Sequence, residues 1–157
     1  MLEAIKLIGA IVGLATGVFT VWDRWVRGRP LAWLTVTIRT GGTPADPGIR
    51  IKNPGPTDLL IQGVRPHPAD IYGVAKDHSI KATMTALDAD VNLLLRPGQE
   101  HELAIVDRRV AAAQKDASQR VRFSIYWCKT SSTWLPQVPV VIHTSTHDLS
   151  TIIDAAS

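Results

Sequence analysis

Histidine is the residue best suited to proton transfer or metal binding near neutral pH, and this chain carries five. His143 and His147 stand four apart with Asp148 adjacent, while His67, Asp70, Asp77 and His78 gather around the Pro66–His78 stretch. A spacing of four brings side chains together on a helix but not on a strand, and the first pair lies in a strand-rich tail. Zinc needs three or four converging ligands, and the chain has neither H-E-x-x-H nor paired C-x-x-C. No metal and no cofactor is expected, and the histidines read as surface or turn residues.

Nucleophile chemistry has as little support. G-x-S-x-G, the P-loop and G-x-G-x-x-G are all missing from the sequence. Cys128 follows Trp127 inside a strand pattern and reads as a small packed side chain. Glu100 and Glu102 sit on a turn-proximal strand and read as solvent-facing. No catalytic residue is assigned, and an enzyme is the least favoured class. Recognition has a better candidate in Ser131, Ser132, Thr133 and Trp134, a polar loop tipped by a large aromatic. Rigid strands often carry such loops to a partner, although Trp134 plugging the core is the plainer reading.

The elements that position these residues begin with an apolar run. From Ala4 to Trp22 the only charge is Lys6 and no proline intervenes. As a helix this run spans about 28 Å, close to the hydrocarbon thickness of a bilayer. Lys6 at one end, and Trp22, Arg24, Trp25, Arg27 and Arg29 at the other, suit the headgroup layers. The basic cluster follows the apolar run, unlike a cleavable signal peptide, so the positive-inside rule leaves the carboxy-terminal domain in the cytoplasm. Gly9, Gly13, Thr16, Gly17 and Thr20 share one helical face, opposite Leu7, Ile8, Ile11, Leu14, Val18 and Phe19. Small faces let helices approach closely in lipid, so this one is expected to associate with another copy or another helix. A helix folded back on its own domain is the alternative.

After Gly28-Arg29-Pro30 the hydrophobic period changes to two. Alternation predicts strands near 34–39, 49–52, 59–64, 71–75, 80–87, 91–95, 102–105, 120–129 and 138–142, with a final piece at 149–153. Residues 44–48 read as loop, and 108–119 as a short helix or crossover. Seven to nine short strands between Gly, Pro and Asn turns predict an antiparallel β-sandwich, with a small β-barrel as the alternative. The chain therefore divides into a transmembrane helix, 1–30, and a β-domain, 31–157.

Composition agrees with a folded domain. The 157 residues are 45% hydrophobic and 20% charged, and a single cysteine excludes an internal disulfide. The net charge is +3, of which the first 30 residues contribute +2 from four basic and two acidic groups. The remainder is nearly neutral and has no long basic run, so no nucleic-acid partner is expected.

An apolar helix with an arginine-rich exit, followed by strands carrying Asn53-Pro54-Gly55-Pro56 and Leu95-Arg96-Pro97-Gly98, resembles uncharacterised bacterial membrane-anchored proteins with an immunoglobulin-like domain. That resemblance implies a single-pass protein of the inner membrane. Two functions fit. One is a non-enzymatic interaction module with a lipid anchor, a β-domain that binds a protein or a small ligand, and self-association through the helix. The other is a self-assembling, membrane-perturbing effector of toxin or phage-defence type, in which the β-domain is sensor or scaffold.

Overall fold

The alternating segments become eight strands. The computed structural model describes residues 13–14, 16–19, 28–37, 46–79, 82, 91–108, 119–132 and 137–155. The strands are β1 (Leu31–Thr37), β2 (Asp46–Lys52), β3 (Leu59–His67), β4 (Tyr72–Ala75), β5 (Leu93–Leu95), β6 (Glu100–Asp107), β7 (Arg120–Lys129) and β8 (Val140–Ser145). They form two four-stranded antiparallel sheets, ordered β1-β2-β6-β4 and β5-β3-β7-β8. Among the described residues no ladder joins the sheets, and the β-domain is sandwich-like.

Both sheets contribute their inward residues to one core. Ile49, Ile51, Tyr72, Val74, Leu103 and Ile105 come from the first sheet. Leu59, Ile61, Val64, Leu95, Val121, Phe123, Ile125 and Trp127 come from the second. Phe123 is fully buried, which for a side chain of its size stabilises the fold by about 2–3 kcal/mol. Its ring lies 6.3 Å from that of Tyr72, so the two sheets meet through an aromatic pair. Trp127 is also buried, and its indole N–H donates to the Val138 carbonyl at 3.1 Å.

The two turn signatures prove to be one structure. Asn53, at the end of β2, is completely buried. Its amide nitrogen donates to the carbonyls of Thr57 and Leu95, each at 2.9 Å, and its side-chain oxygen accepts from Gly55 N–H. Its main chain is bonded to Gln99 and Gly98. One asparagine thus ties the β2–β3 turn to the turn ahead of β6. Gly98 has φ +76°, a left-handed conformation that favours glycine.

Three expectations about element bounds need correction. β2 begins at Asp46, inside the stretch that reads as loop, because Asp46 and Pro47 pair with Thr37 and Val36. β3 runs past Pro66 to His67. Its neighbour β5 reaches only Ile61, so Pro66 removes no donor from a second ladder. The tail piece is the helix α1 (Thr146–Ala155), not a strand. Ser145 and Asp148 form a capping box: Ser145 Oγ accepts from Asp148 N–H at 3.0 Å, and Asp148 Oδ2 accepts from Ser145 N–H at 3.2 Å. Leu149 then docks the helix on the core. The strand expected at 80–87 lies outside the described residues except for Ala82, which is helical.

Candidate functional site: a cationic sheet face

A β-bulge decides what the second sheet shows to solvent. Strict alternation from Leu59 and Ile61 would turn residues 63, 65 and 67 inward. The β3–β7 register shifts between Ile61 and Gly63, so Val64 and Pro66 take the inner side and Arg65 and His67 face outward. On β7 the outward residues are Arg120, Arg122, Ser124 and Tyr126, and on β8 they are Val141, His143 and Ser145.

Register then assembles the face. Arg122 lies directly opposite His67 on one side and His143 on the other. Adjacent strands are about 4.8 Å apart, so this His–Arg–His row is about 10 Å wide. Arg65 pairs with Ser124, one row along, and its guanidinium carbon sits 5.2 Å from the centre of the Tyr126 ring. Arg120 faces the short side chain of Ser145. Arg65, His67, Arg120, Arg122 and His143 are all exposed. None of the four strands of this sheet contains an acidic residue. Among the described residues, no carboxylate pairs with Arg65, Arg120 or Arg122.

The outer face of the first sheet is built differently. Arg50 Nη2 donates to Glu102 Oε2 at 2.7 Å, and Lys52 Nζ donates to Glu100 Oε1 at 2.7 Å, both pairs sitting in cross-strand register. The Thr37 hydroxyl donates to Glu102 Oε1. His78 comes over this group, with Nε2 3.3 Å from Glu102 Oε1 and Nδ1 3.7 Å from Asp46 Oδ2. Burial alone would push Glu102 up. Hydrogen bonds from Thr37 and Arg50, with the charge of Arg50, outweigh it and hold the carboxyl below its usual range. The hydrogen bond from Lys52 likewise lowers Glu100.

Thr37, His78 and Asp46 have the residue types of a nucleophile, base and orienting carboxylate. Their geometry does not activate the hydroxyl: its proton is committed to Glu102, and Thr37 Oγ1 lies 3.5 Å from His78 Nε2. The arrangement braces β1, β2 and β6 electrostatically. Glu100 and Glu102, which read as solvent-facing, are therefore partners in ion pairs.

The residues singled out in the sequence are scattered. Gly13, Thr16 and Gly17 are helical, and a side chain placed on either glycine would meet nothing within 4 Å. Gly9 and Thr20 of the same face lie outside the described residues, as do Lys6, Trp22, Arg24, Trp25 and Arg27. Arg29 lines a groove of about 600 Å³ with Pro30, Leu31, Pro54, Pro139 and Val140. Ser131 is exposed in the 3-10 turn Thr130–Ser132, whereas Thr133 and Trp134 lie outside the described residues.

His67 and His78 sit on opposite sheets, and His143 and His147 are divided between β8 and the first turn of α1. Among the described residues no three metal-ligating side chains converge. Cys128 is buried, and burial pushes its thiol up, away from a reactive thiolate. Among the described residues no helix is long and apolar enough to cross a membrane. The chain matches no protein-family model and no curated protein.

Proposed function

We propose that this chain is a non-enzymatic interaction module, anchored at the inner membrane by its apolar amino-terminal segment, with the β-domain in the cytoplasm binding a protein partner. The anchor rests on one observation above all. Leu14, Val18 and Phe19 are 73%, 63% and 67% exposed on helical turns, so the β-domain does not cover them as a folded-back helix would require. Large apolar side chains left open in this way belong in lipid or against another protein. The open side of Gly13 and Gly17 supports close approach of a second helix, and hence a homo-oligomer or a membrane complex.

An immunoglobulin-like arrangement is supported by the strand order. β1-β2-β6-β4 and β5-β3-β7-β8 match the spatial orders A-B-E-D and C′-C-F-G. The departure is in chain order, since the strand in the D place precedes the strand in the C′ place. The resemblance to membrane-anchored proteins with such a domain belongs to the same proposal.

Replacing Leu14 with arginine places a charge in the middle of the apolar run and is expected to release the full chain from the membrane fraction. Retention of the L14R chain in membranes after a carbonate wash would overturn the anchor. Orientation is read in a Cys128→Ala, Ser131→Cys chain, because the native thiol is buried and Ser131 is exposed. A membrane-impermeant thiol reagent should label it only after permeabilisation.

The same small-residue face favours the second reading, a self-assembling effector that perturbs the bilayer. Gly13→Ile separates the two. An effector loses membrane permeabilisation while its β-domain stays folded, and an anchor keeps membrane association and partner binding.

A further inference from the structure

We propose that the outer face of the β5-β3-β7-β8 sheet binds an extended acidic polypeptide segment of a partner protein, with Arg122 at the centre of the contact and Arg65 and Arg120 beside it. This deepens the interaction-module reading and rests on it. The first argument is charge complementarity. Three arginines and two histidines lie on adjoining strands without a single acidic neighbour in the sheet. Arg120 and Arg122 stand two residues apart on one face of β7, about 7 Å, with Arg65 on the adjoining strand, and the sandwich does not need them, since its core is made by the opposite side chains. An anionic partner offsets the mutual repulsion of these guanidinium groups, each of which can donate two parallel hydrogen bonds to one carboxylate.

The second argument is position. The chain enters the domain at Pro30, where Leu31 of β1, Pro54 and Val140 of β8 line one groove. β8 runs from that end to Ser145, which pairs with Arg120. Five steps of about 3.3 Å place the Arg120 end about 17 Å from the entry point. With the anchor in lipid, this end points away from the bilayer that holds the protein. A soluble acidic partner therefore suits it better than the headgroups of the same membrane.

The third argument separates polypeptide from nucleic acid. Three arginines neutralise few phosphates, and nucleic-acid affinity grows with that number. Among the described residues the one aromatic of the face, Tyr126, already has Arg65 against its ring, which leaves little platform for stacked bases. β8 ends the sheet order, and among the described residues it pairs with β7 alone. A peptide added beside it would gain main-chain hydrogen bonds. Its carboxylates would reach Arg120 across the short Ser145 and Arg122 beside His143.

The test uses the full chain in detergent micelles and a fluorescent peptide of alternating glutamate and valine. The peptide should bind, weaken as salt is raised, and lose at least tenfold in affinity with Arg122→Glu. Arg122→Gln should give a smaller loss, and Lys52→Gln on the other sheet none. The same titrations are run with oligo(dT) and with phosphatidylserine vesicles. Failure of the wild-type chain to bind the peptide overturns the proposal, as does equal binding by Arg122→Glu. Tighter, Arg122-dependent binding of oligo(dT) or of vesicles overturns it in favour of that ligand. Unchanged thermal melts of the variants exclude misfolding as the cause. Membrane fractionation is scored separately, so loss of peptide binding with the protein still in membranes counts against this face alone, and release from membranes counts against the anchor alone.

Discussion

The two outer faces of the β-domain spend their charges in opposite ways. On the first sheet Arg50, Lys52, Glu100 and Glu102 meet in register, and His78 and Thr37 complete the group. On the second sheet Arg65, Arg120 and Arg122 meet histidine, serine or tyrosine, and no acid. Both faces cover the same core, so the difference does not come from any need of the interior. Charges on the first face serve the fold. Charges on the second are left for something outside it.

Substitutions can break or sharpen this contrast. The largest effect is expected beneath both faces, at Asn53→Ala. That change leaves the Thr57 and Leu95 carbonyls and the Gly55 N–H without their buried partner, and should cost about 3 kcal/mol in denaturant unfolding. If it costs nothing, the turns are not held by this residue. Next comes Gly48→Ala on the first face. Its methyl would meet the Leu103 carbonyl at 2.9 Å and Thr35 Cγ2 at 3.2 Å, which predicts a loss of about 1–3 kcal/mol through overpacking. A neutral result would mean that β2 and β6 can part without penalty.

Glu102→Gln comes third, with a loss of about 1 kcal/mol at neutral pH. Its folded-state pKa is lowered, so its contribution is complete above the ordinary carboxylate range and disappears as pH falls through the lowered value. The stability of the wild-type chain should therefore decline in acid more steeply than that of E102Q. Parallel pH profiles would show that the ion pair contributes nothing. The smallest effect belongs to the second face: Arg122→Gln should change stability by less than about 0.5 kcal/mol, as exposed substitutions usually do. A large loss there would erase the contrast and give Arg122 a structural role.

How much of this could be read in advance depends on distance along the chain. The strand of residues 120–129, with Val121, Phe123, Ile125 and Trp127 on one side, shows its two faces in its own alternation. The capping box of Ser145 and Asp148 was also present in the sequence, as a hydroxyl three residues before a carboxylate, but alternation in the tail concealed it. The cationic face had no such signal. Its members lie at 65, 67, 120, 122 and 143, and the overall charge of the domain hides them among acids placed on the other sheet and in the connections.

The bulge between Ile61 and Gly63 is the clearest case. Periodicity alone would have buried Arg65 and His67, and one extra residue in β3 puts them in solvent.

The amino-acid sequence on its own determined the apolar run, the glycine spacing within it, the strand-rich character of the rest and most of the inward residues. Those features follow from side-chain size and polarity repeating over a few positions. Tertiary structure alone decided that Arg122 would stand between His67 and His143, and that Arg50 would find Glu102. Strand partnership is settled by closing loops and packing one shared core, an energy summed over the whole domain and absent from any short window of residues.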